Sequence, residues 1–353
     1  MLARLEDVFA IGGGTGANRV GGTPHEDEAC DLAASWMYEA GLEVERDARG
    51  NVIGRLPGRR PELPEVWTGS HLDSVPEGGK FDGALGVVAG LEAVVAIGRR
   101  ERTLAVAVFR EEETGCHGSR WRVKHASLPG AYVELHIEQG PTLERAGGPL
   151  GVVTSIVAYA RREVRFVGTP CHAGTTPMDA RDDALCKAAE YVLRVRDAAV
   201  AIEEAVATVG VLEVEPGAVN VVPGSVRLTV DVRAPDERRL GRLLSELDLE
   251  PEPIVAASVM DEGVRRVLCE EVGRVGLPLV DLPSGAGHDA GVLAAAGVSS
   301  GMLFVRSLAG GISHCPDELS SPEDVALAVD VLAASLRRLA EDQHVGLRLE
   351  PGR

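Results

Sequence analysis

The sequence predicts an α/β fold in which a largely parallel sheet is interrupted by a smaller α+β domain. Before Gly151, apolar strand-like runs alternate with helical patterns, and this alternation returns after Asp261. Between these two parts the pattern changes to a β-α-β-β-α-β order. Alternating strands and helices favour a parallel sheet. We therefore expect one discontinuous domain, residues 1–155 and 259–353, and an inserted domain at residues 156–258.

The first part of the sequence contains four strand-like stretches and two helical ones. A helix is expected from about Glu26, because its apolar residues recur every three to four positions until Gly41 stops it. A second helix is expected at residues 83–96. The strand-like stretches are residues 44–56 (two short strands around a turn), 66–70, 103–109 and 132–137.

The remaining elements follow from the same periodicities. In the inserted domain, alternating segments predict strands at residues 162–167, 206–214, 225–232 and 253–258, and helices at 182–202 and 237–247. In the last part, helices are expected at residues 262–275 and 290–296, and strands at 279–282 and 301–305. A closing helix begins at Pro322, with Ser321 as its cap.

Composition restricts the partners and the compartment. The chain has 353 residues, 45% hydrophobic and 25% charged, with a net charge of −18 and no basic patch to offset it. This charge argues against binding to nucleic acid or to an anionic membrane. The six cysteines form no CxxC pair, the first residues contain no apolar signal segment, and no apolar run of about 18 residues occurs. We expect a cytoplasmic protein.

The clearest chemical signal is the stretch from Gly69 to Gly83. His71 and Asp73 are two residues apart at the end of an apolar run, so they share a face if the strand continues. The imidazole can bind a metal ion while the carboxylate orients it. Asp82 stands at the start of a helical pattern, where the helix dipole favours a negative charge. For this stretch alone, a polar turn between strand and helix is the alternative.

Further polar residues follow other strands. Residues 110–113 read Arg-Glu-Glu-Glu directly after the apolar run 103–109, and ligands of α/β sheets collect beyond such strand ends. Two adjacent carboxylates can have different roles, one binding a metal ion and the other accepting a proton. A solvated loop is the alternative. Five histidines occupy polar or Gly-rich junctions, namely His71, His136, His172, His288 and His314.

These motifs together resemble the N-carbamoyl-L-amino-acid hydrolase and allantoate amidohydrolase group of the dinuclear-metal aminoacylase and carboxypeptidase superfamily. The resemblance covers nearly the whole chain in order. Its motifs are GSHLDSVPEGGKFDGALGV, FREEE, ELHIEQGPTLE, HAGTTPMDARDDAL, NVVPGSVRLTVDVRAPD, LPSGAGHDA and GGISHCPDE. The segment between Glu113 and His136 is shorter than is usual in the group, so side-chain specificity cannot be carried over.

The resemblance implies two divalent metal ions per subunit, zinc or manganese first, with cobalt or nickel also possible. The implied ligands of one ion are Asp82, Glu113 and His314, and those of the other are His71, Asp82 and His136. Glu112 would be the general base and Asp73 the partner that orients His71.

The resemblance also implies substrate-binding residues. In the inserted domain, expected to act as a lid and dimerisation domain, these are His172, Asn220 and Arg233. His288 and Gln139 are the candidates from the other domain. From the residues alone, Asn220 can equally cap a turn, and Arg233 can equally pair with Asp231 or Asp236.

The expected function is hydrolysis of a linear amide or ureido C–N bond in a small anionic substrate. N-carbamoyl-L-amino acids, giving amino acid, carbon dioxide and ammonia, come first. The alternatives are allantoate, N-acyl amino acids or dipeptides, and a non-catalytic ligand-binding protein that retains the fold. A homodimer is expected from the resemblance alone.

Overall fold

The computed structural model describes residues 1–251 and 255–341. In chain order, the strands are β1 (Glu43–Arg46), β2 (Val52–Leu56), β3 (Val66–His71), β4 (Leu104–Phe109), β5 (Ala131–Ile137), β6 (Leu150–Ile156), β7 (Ala158–Val167), β8 (Cys171–His172), β9 (Val206–Glu215), β10 (Val221–Val222), β11 (Ser225–Ala234), β12 (Ser258–Val259), β13 (Asp281–Ser284) and β14 (Ser299–Val305).

The α-helices, again in chain order, are α1 (Leu2–Phe9), α2 (Pro24–Glu39), α3 (Ala84–Ile97), α4 (His117–His125), α5 (Thr142–Ala146), α6 (Ala184–Val200), α7 (Glu237–Glu246), α8 (Glu262–Arg274), α9 (Asp289–Ala295) and α10 (Pro322–Glu341). No helix within residues 1–251 and 255–341 is long and apolar enough to cross a membrane.

The chain separates into two compact units. We call Met1–Ile156 with the residues from Ser258 onward the sheet unit, and Val157–Ala257 the inserted unit. The sheet unit has a nine-stranded sheet in the order β1-β2-β4-β3-β5-β14-β6-β12, with β13 also paired to β6. The central strands β4, β3, β5 and β14 are parallel to one another, and the flanking pairs include antiparallel ones. The predicted α/β class with a largely parallel sheet is confirmed.

The central strands are buried on both faces, which explains their almost uninterrupted apolar sequences. Successive side chains point to opposite faces and enter different cores. Val106 and Leu135 belong to the core that includes side chains of α3 and α10. Trp67 and Phe304 belong to the core that includes side chains of α9. The strand ends are thereby fixed from both sides.

The inserted unit is built on a three-stranded antiparallel sheet in the order β7-β11-β9. Along β11, every second residue is buried and packs in a core with α6 and α7. A two-stranded pair, β8 with β10, lies off this sheet. The sequence did not predict this pair, because two residues are too few for an alternating pattern.

The last predicted strand of the inserted domain, residues 253–258, is wrong in its described part. Val255 forms only an isolated bridge with Tyr159, and Ser258–Val259 pairs with β6 in the sheet unit. Residues 252–254 lie outside the described residues. The β-α-β-β-α-β order therefore lacks a full final strand among the described residues.

Other elements of the sheet unit were not predicted. These are α1, α4, α5 and β6, and β13 lies two residues beyond its predicted position. The segment 114–131 contains α4. Capping of α10 was predicted correctly, since Asp324 N–H donates to Ser321 Oγ at 3.0 Å.

An ion pair ties the end of β4 to α2. Arg110 Nη2 lies 2.7 Å from Glu26 and Nη1 lies 2.6 Å from Asp27. The Glu26 side chain is fully buried, and it also accepts the N–H of Glu111 at 2.8 Å. A buried charge is costly without partners, so Glu26 has to keep both of these contacts. It thereby holds the segment after β4 in place.

We expect Glu26→Ala to lower the free energy of unfolding by about 3–5 kcal/mol, because it leaves the largely buried Arg110 without its buried partner. Asp27→Ala is the matched control. Asp27 contacts the same guanidinium, but 57% of its side chain is exposed, so its removal should cost about 1 kcal/mol or less. Urea unfolding of both variants measures the difference, and equal losses would contradict the assignment.

Candidate metal centre

Parallel strand ends bring the polar motifs together. His71 is the last residue of β3 and pairs in register with Phe109, the last residue of β4. Glu112 and Glu113 follow β4 directly, and His136 is the penultimate residue of neighbouring β5. These side chains therefore start from the carboxyl edge of one sheet, where ligands collect in open α/β folds.

Asp82 lies between two groups of side chains. Its Oδ1 is 3.6 Å from His71 Nε2 and 3.2 Å from His136 Nε2. Its Oδ2 is 3.2 Å from His314 Nε2, which is itself 3.4 Å from Glu113 Oε2. Burial raises the pKa of Asp82, but hydrogen bonds with His136 and His314 outweigh it and hold this pKa well below its usual range.

The donor atoms of this arrangement suit divalent metal ions. His71, Asp82 and His136 form one group, and Asp82, Glu113 and His314 form another, with the ligand atoms of each within 4.8 Å of one another. Imidazole and carboxylate ligands fit zinc, manganese, cobalt or nickel. Glu113 Oε1 is buried and has no hydrogen-bond partner among the described residues. A cation is the kind of partner that such an oxygen requires.

Backbone carbonyls orient the buried rings of His71 and His136. His71 Nδ1 lies 3.1 Å from the carbonyl oxygen of Asp73, and His136 Nδ1 lies 2.9 Å from that of Ile137. Because a carbonyl only accepts, Nδ1 carries the proton and Nε2 faces Asp82. Gly83 (φ +63°) allows this packing, since a Cβ there would lie 2.4 Å from His71 Cε1.

Asp73 links His71 to the glutamates. Its Oδ1 is 3.4 Å from His71 Nδ1, and its two carboxylate oxygens accept the N–H groups of Glu112 and Glu113, each at 3.1 Å. One buried carboxylate thus fixes the end of β3 relative to the segment after β4. This arrangement agrees with an orienting role for Asp73.

Glu112 is suited to proton transfer. It is 8% exposed, and its Oε2 lies 3.7 Å from His71 Nε2. The thiol of Cys116 donates to its Oε1 at 3.6 Å. Burial raises the pKa of Glu112 well above its usual value, which makes its carboxylate a stronger base.

The other two candidates from the sheet unit also reach this cluster. His288 is buried, its Nε2 lies 2.8 Å from Ser284 Oγ, and its ring stands edge-on to His136 at 4.6 Å between centroids. Gln139 Nε2 donates to Asp82 Oδ2 at 2.8 Å. The structure thus places the amide of Gln139 against the shared carboxylate, a contact that the sequence did not indicate.

Three residues of the loops around the cluster have left-handed backbones. Glu111, Gln139 and His314 have φ between +54° and +57°. Residues with side chains rarely adopt this left-handed conformation, and proteins retain it mostly where function requires it. At Gln139 and His314 it turns the chain so that both side chains meet at Asp82, and at Glu111 it precedes Glu112.

The three candidates of the inserted unit lie on β8, directly before β10 and on β11. Val221 pairs with His172, and Ala173 N–H donates to the carbonyl of Asn220 at 2.9 Å, so His172 and Asn220 are neighbours. His172 is exposed, and its Nδ1 accepts the N–H of Gly174 at 3.0 Å. Arg233 Nε donates to Asp231 at 2.8 Å, which is the pairing that the residues alone left open.

Sequence reasoning missed several buried polar residues of the sheet unit, namely Arg19, Glu134, Asp289 and Glu318. Glu134 precedes His136 by two residues on β5, so strand periodicity could have indicated it. With His136 and His288 it forms a further group of possible ligands. Its carboxylate is already engaged by the hydroxyl of Ser70 and the N–H of Ala290.

Comparison with known proteins gives concordant matches. Residues 67–338 match the profile of peptidase family M20/M25/M40. The N-carbamoyl-L-amino acid amidohydrolase of Geobacillus stearothermophilus is 36% identical over 93% of this chain and 94% of that protein. Allantoate deiminase 1 of Glycine max is 30% identical, over 96% and 88%. The crystal structure of an amidase of the hydantoinase/carbamoylase family from Burkholderia multivorans superimposes with a TM-score of 0.88 at 31% identity, covering 97% of each chain.

In the metal-free chain, His314 should titrate near pH 8, because its hydrogen bond with Asp82 and the charge of Glu113 raise its pKa from 6.5 to about 8. This contact stabilises the metal-free fold fully below pH 6.5, and the contribution is lost as the pH rises through about 8. NMR of the imidazole protons measures the midpoint. Asp82→Asn should move it towards 6.5, and a wild-type midpoint at or below 6.5 would refute the contact.

Proposed function

The chain belongs to peptidase family M20/M25/M40, and we propose that it hydrolyses the ureido C–N bond of N-carbamoyl-L-amino acids. The products are the amino acid, carbon dioxide and ammonia. The observation that carries this proposal is the position of Asp82, whose two oxygens face different histidine-containing groups. The similarity to the amidohydrolase of Geobacillus stearothermophilus supports the substrate class.

The residues have the following proposed roles. His71, Asp82 and His136 would hold one divalent ion, and Asp82, Glu113 and His314 a second. Such ions, when bound, polarise the scissile carbonyl and lower the pKa of a bound water. Zinc or manganese is the first choice for this ligand set, and cobalt or nickel is also compatible.

Glu112 would be the general base. Its buried carboxylate takes a proton from the attacking water and delivers it to the departing nitrogen. Asp73 keeps His71 in the orientation that directs Nε2 towards Asp82. The carboxylate of Glu112 and those of the ligands therefore have separate tasks, although Glu112 and Glu113 are adjacent in sequence.

Further residues would bind the substrate. Arg233 would bind the substrate carboxylate, because a planar guanidinium matches two oxygens. His172 and Asn220 would donate hydrogen bonds to the carbonyl oxygen as charge develops on it. His288 would bind the substrate from the sheet unit, and Gln139 is a weaker candidate because its amide already donates to Asp82.

Allantoate is the second candidate substrate, on the basis of the similarity to the deiminase of Glycine max. Both candidates are small anions that release ammonia, so the same set of residues would serve either. Homodimer formation through the inserted unit and a cytoplasmic location are further proposals.

We expect Glu112→Gln to reduce kcat by a factor of about 10² or more, because the amide cannot accept the proton of the attacking water. Ammonia release from N-carbamoyl-L-amino acids measures the effect. Glu111→Gln is the matched control, since Glu111 is the neighbouring glutamate and pairs with Arg49 at 2.5 Å instead of reaching the cluster. Its kcat should change little.

A panel of substrates separates the alternatives. Ammonia from N-carbamoyl-L-amino acids supports the first proposal, and ammonia from allantoate alone supports the second. Cleavage of N-acyl amino acids or dipeptides without ammonia release would assign an aminoacylase or peptidase activity instead. No turnover of any of these with added zinc, manganese, cobalt or nickel would contradict the proposed function.

A further inference from the structure

The carboxylate of Glu318 contacts the segments that carry the proposed metal ligands Asp82 and His314, and it is not a proposed ligand itself. Glu318 is 5% exposed and lies in the sheet unit, four residues after His314. Both of its oxygens accept hydrogen bonds, and each oxygen is linked to Asp82 by a different route.

The first route runs through the main chain. Glu318 Oε1 accepts the N–H of Phe81 at 2.8 Å and the N–H of Asp82 at 3.1 Å. These are the two peptide groups that lead into Gly83 and the start of α3. Because both N–H groups point at one oxygen, the main chain at Asp82 is fixed relative to Glu318.

The second route runs through side chains. Ser313 Oγ donates to Glu318 Oε2 at 2.6 Å. Gln139 Nε2 lies 3.2 Å from Ser313 Oγ and 2.8 Å from Asp82 Oδ2. The single hydroxyl hydrogen of Ser313 goes to the carboxylate, so this serine accepts from Gln139, whose second amide hydrogen goes to Asp82. The hydrogen-bond chain therefore starts at the amide of Gln139 and ends on a carboxylate at each side, Asp82 directly and Glu318 through Ser313.

The surroundings leave Glu318 little freedom. A Cβ at Gly79 would lie 2.1 Å from Glu318 Cδ, so the chain passes the carboxylate closely at a glycine. The segment that carries Ser313 and Glu318 also carries His314, whose Nε2 is 3.2 Å from Asp82 Oδ2. Glu318 therefore holds this segment and the Asp82 loop together.

We propose that Glu318 is a positioning residue, which holds Asp82 in the orientation shared by both histidine groups and brings His314 to it. It acts on the main chain of Asp82 directly and on its Oδ2 through Ser313 and Gln139. Glu318 is thus needed for tight binding at Asp82, Glu113 and His314. The inference rests on the metal site proposed above.

The test is a metal titration of the metal-free full-length chain, with zinc and a competing chelator. Glu318→Ala should weaken binding of at least one ion by about 10- to 100-fold, as the loss of a residue supporting the ligands commonly does. Excess zinc should restore much of its kcat, with KM little changed. Ser313→Ala removes the hydroxyl that donates to Glu318, and Glu318→Gln replaces the accepting oxygen by an NH2 group that can only donate. Each change affects the second route alone and should weaken binding less. Their double variant should be no weaker than either, because both remove the same hydrogen bond.

Asp47→Ala is the matched control for stability. Asp47 also accepts three hydrogen bonds. Two come from the backbone N–H groups of Arg49 and Asn51, and the third comes from the side-chain amide of Asn51. It has no contact with Asp82 in the structure described. Its removal should lower the melting temperature of the metal-free chain comparably to Glu318→Ala, yet zinc affinity should stay near the wild-type value.

Three results would overturn the proposal: wild-type zinc affinity in Glu318→Ala, equal loss of affinity in Asp47→Ala, or additive losses in the Ser313→Ala/Glu318→Gln double variant. If Glu318→Ala does not fold, the two milder variants and their double variant decide the question. A wild-type chain that binds no divalent ion would instead overturn the metal site itself, and the role of Glu318 with it.

Discussion

The sharing of one carboxylate between two histidine groups is the constraint on which this structure depends. Burial of Asp82 opposes its ionisation, and only close hydrogen-bond donors or positive charges can offset the cost of burial. His136 and His314 supply such partners at 3.2 Å. They come from β5 and from a segment beyond β14, so the parallel sheet must bring its strand ends to one edge before these contacts can form.

The sheet meets that constraint because both faces of its central strands are packed. Small shifts of β3 or β5 would have to move the cores on either side of the sheet, and densely packed interiors resist such shifts. Polar contacts then fix the segment that follows β4. Asp73 ties the segment after β4 to the end of β3, and Glu26 ties it to α2. The left-handed backbone at Glu111 remains in place because these contacts oppose its relaxation.

Much of this arrangement was predictable from local sequence. His71 and Asp73 follow an apolar strand, and Asp82 precedes a helix, so a short motif marks both the fold and the site. No local pattern indicates the role of Glu318. Its partners are two main-chain N–H groups from a distant segment and the hydroxyl of Ser313. Strands β8 and β10 are too short for a periodic pattern. The prediction of a strand at residues 253–258 was wrong because Ser258 and Val259 pair with β6. Such long-range pairing depends on tertiary structure, which the strand propensity of a segment does not encode.

Charge sets a further condition on the proposed substrates. The chain carries a net charge of −18, and the candidate substrates are anions. Attraction at long range is therefore absent, and recognition must come from local cations. Arg233 already donates to Asp231, so in the role proposed for Arg233 a substrate carboxylate would share this guanidinium with a carboxylate of the protein. Such sharing limits the gain in affinity but keeps the geometric demand for two oxygens in the plane of the guanidinium. Selection by geometry, with modest affinity, is what this pairing favours in a hydrolase that must release an anionic product.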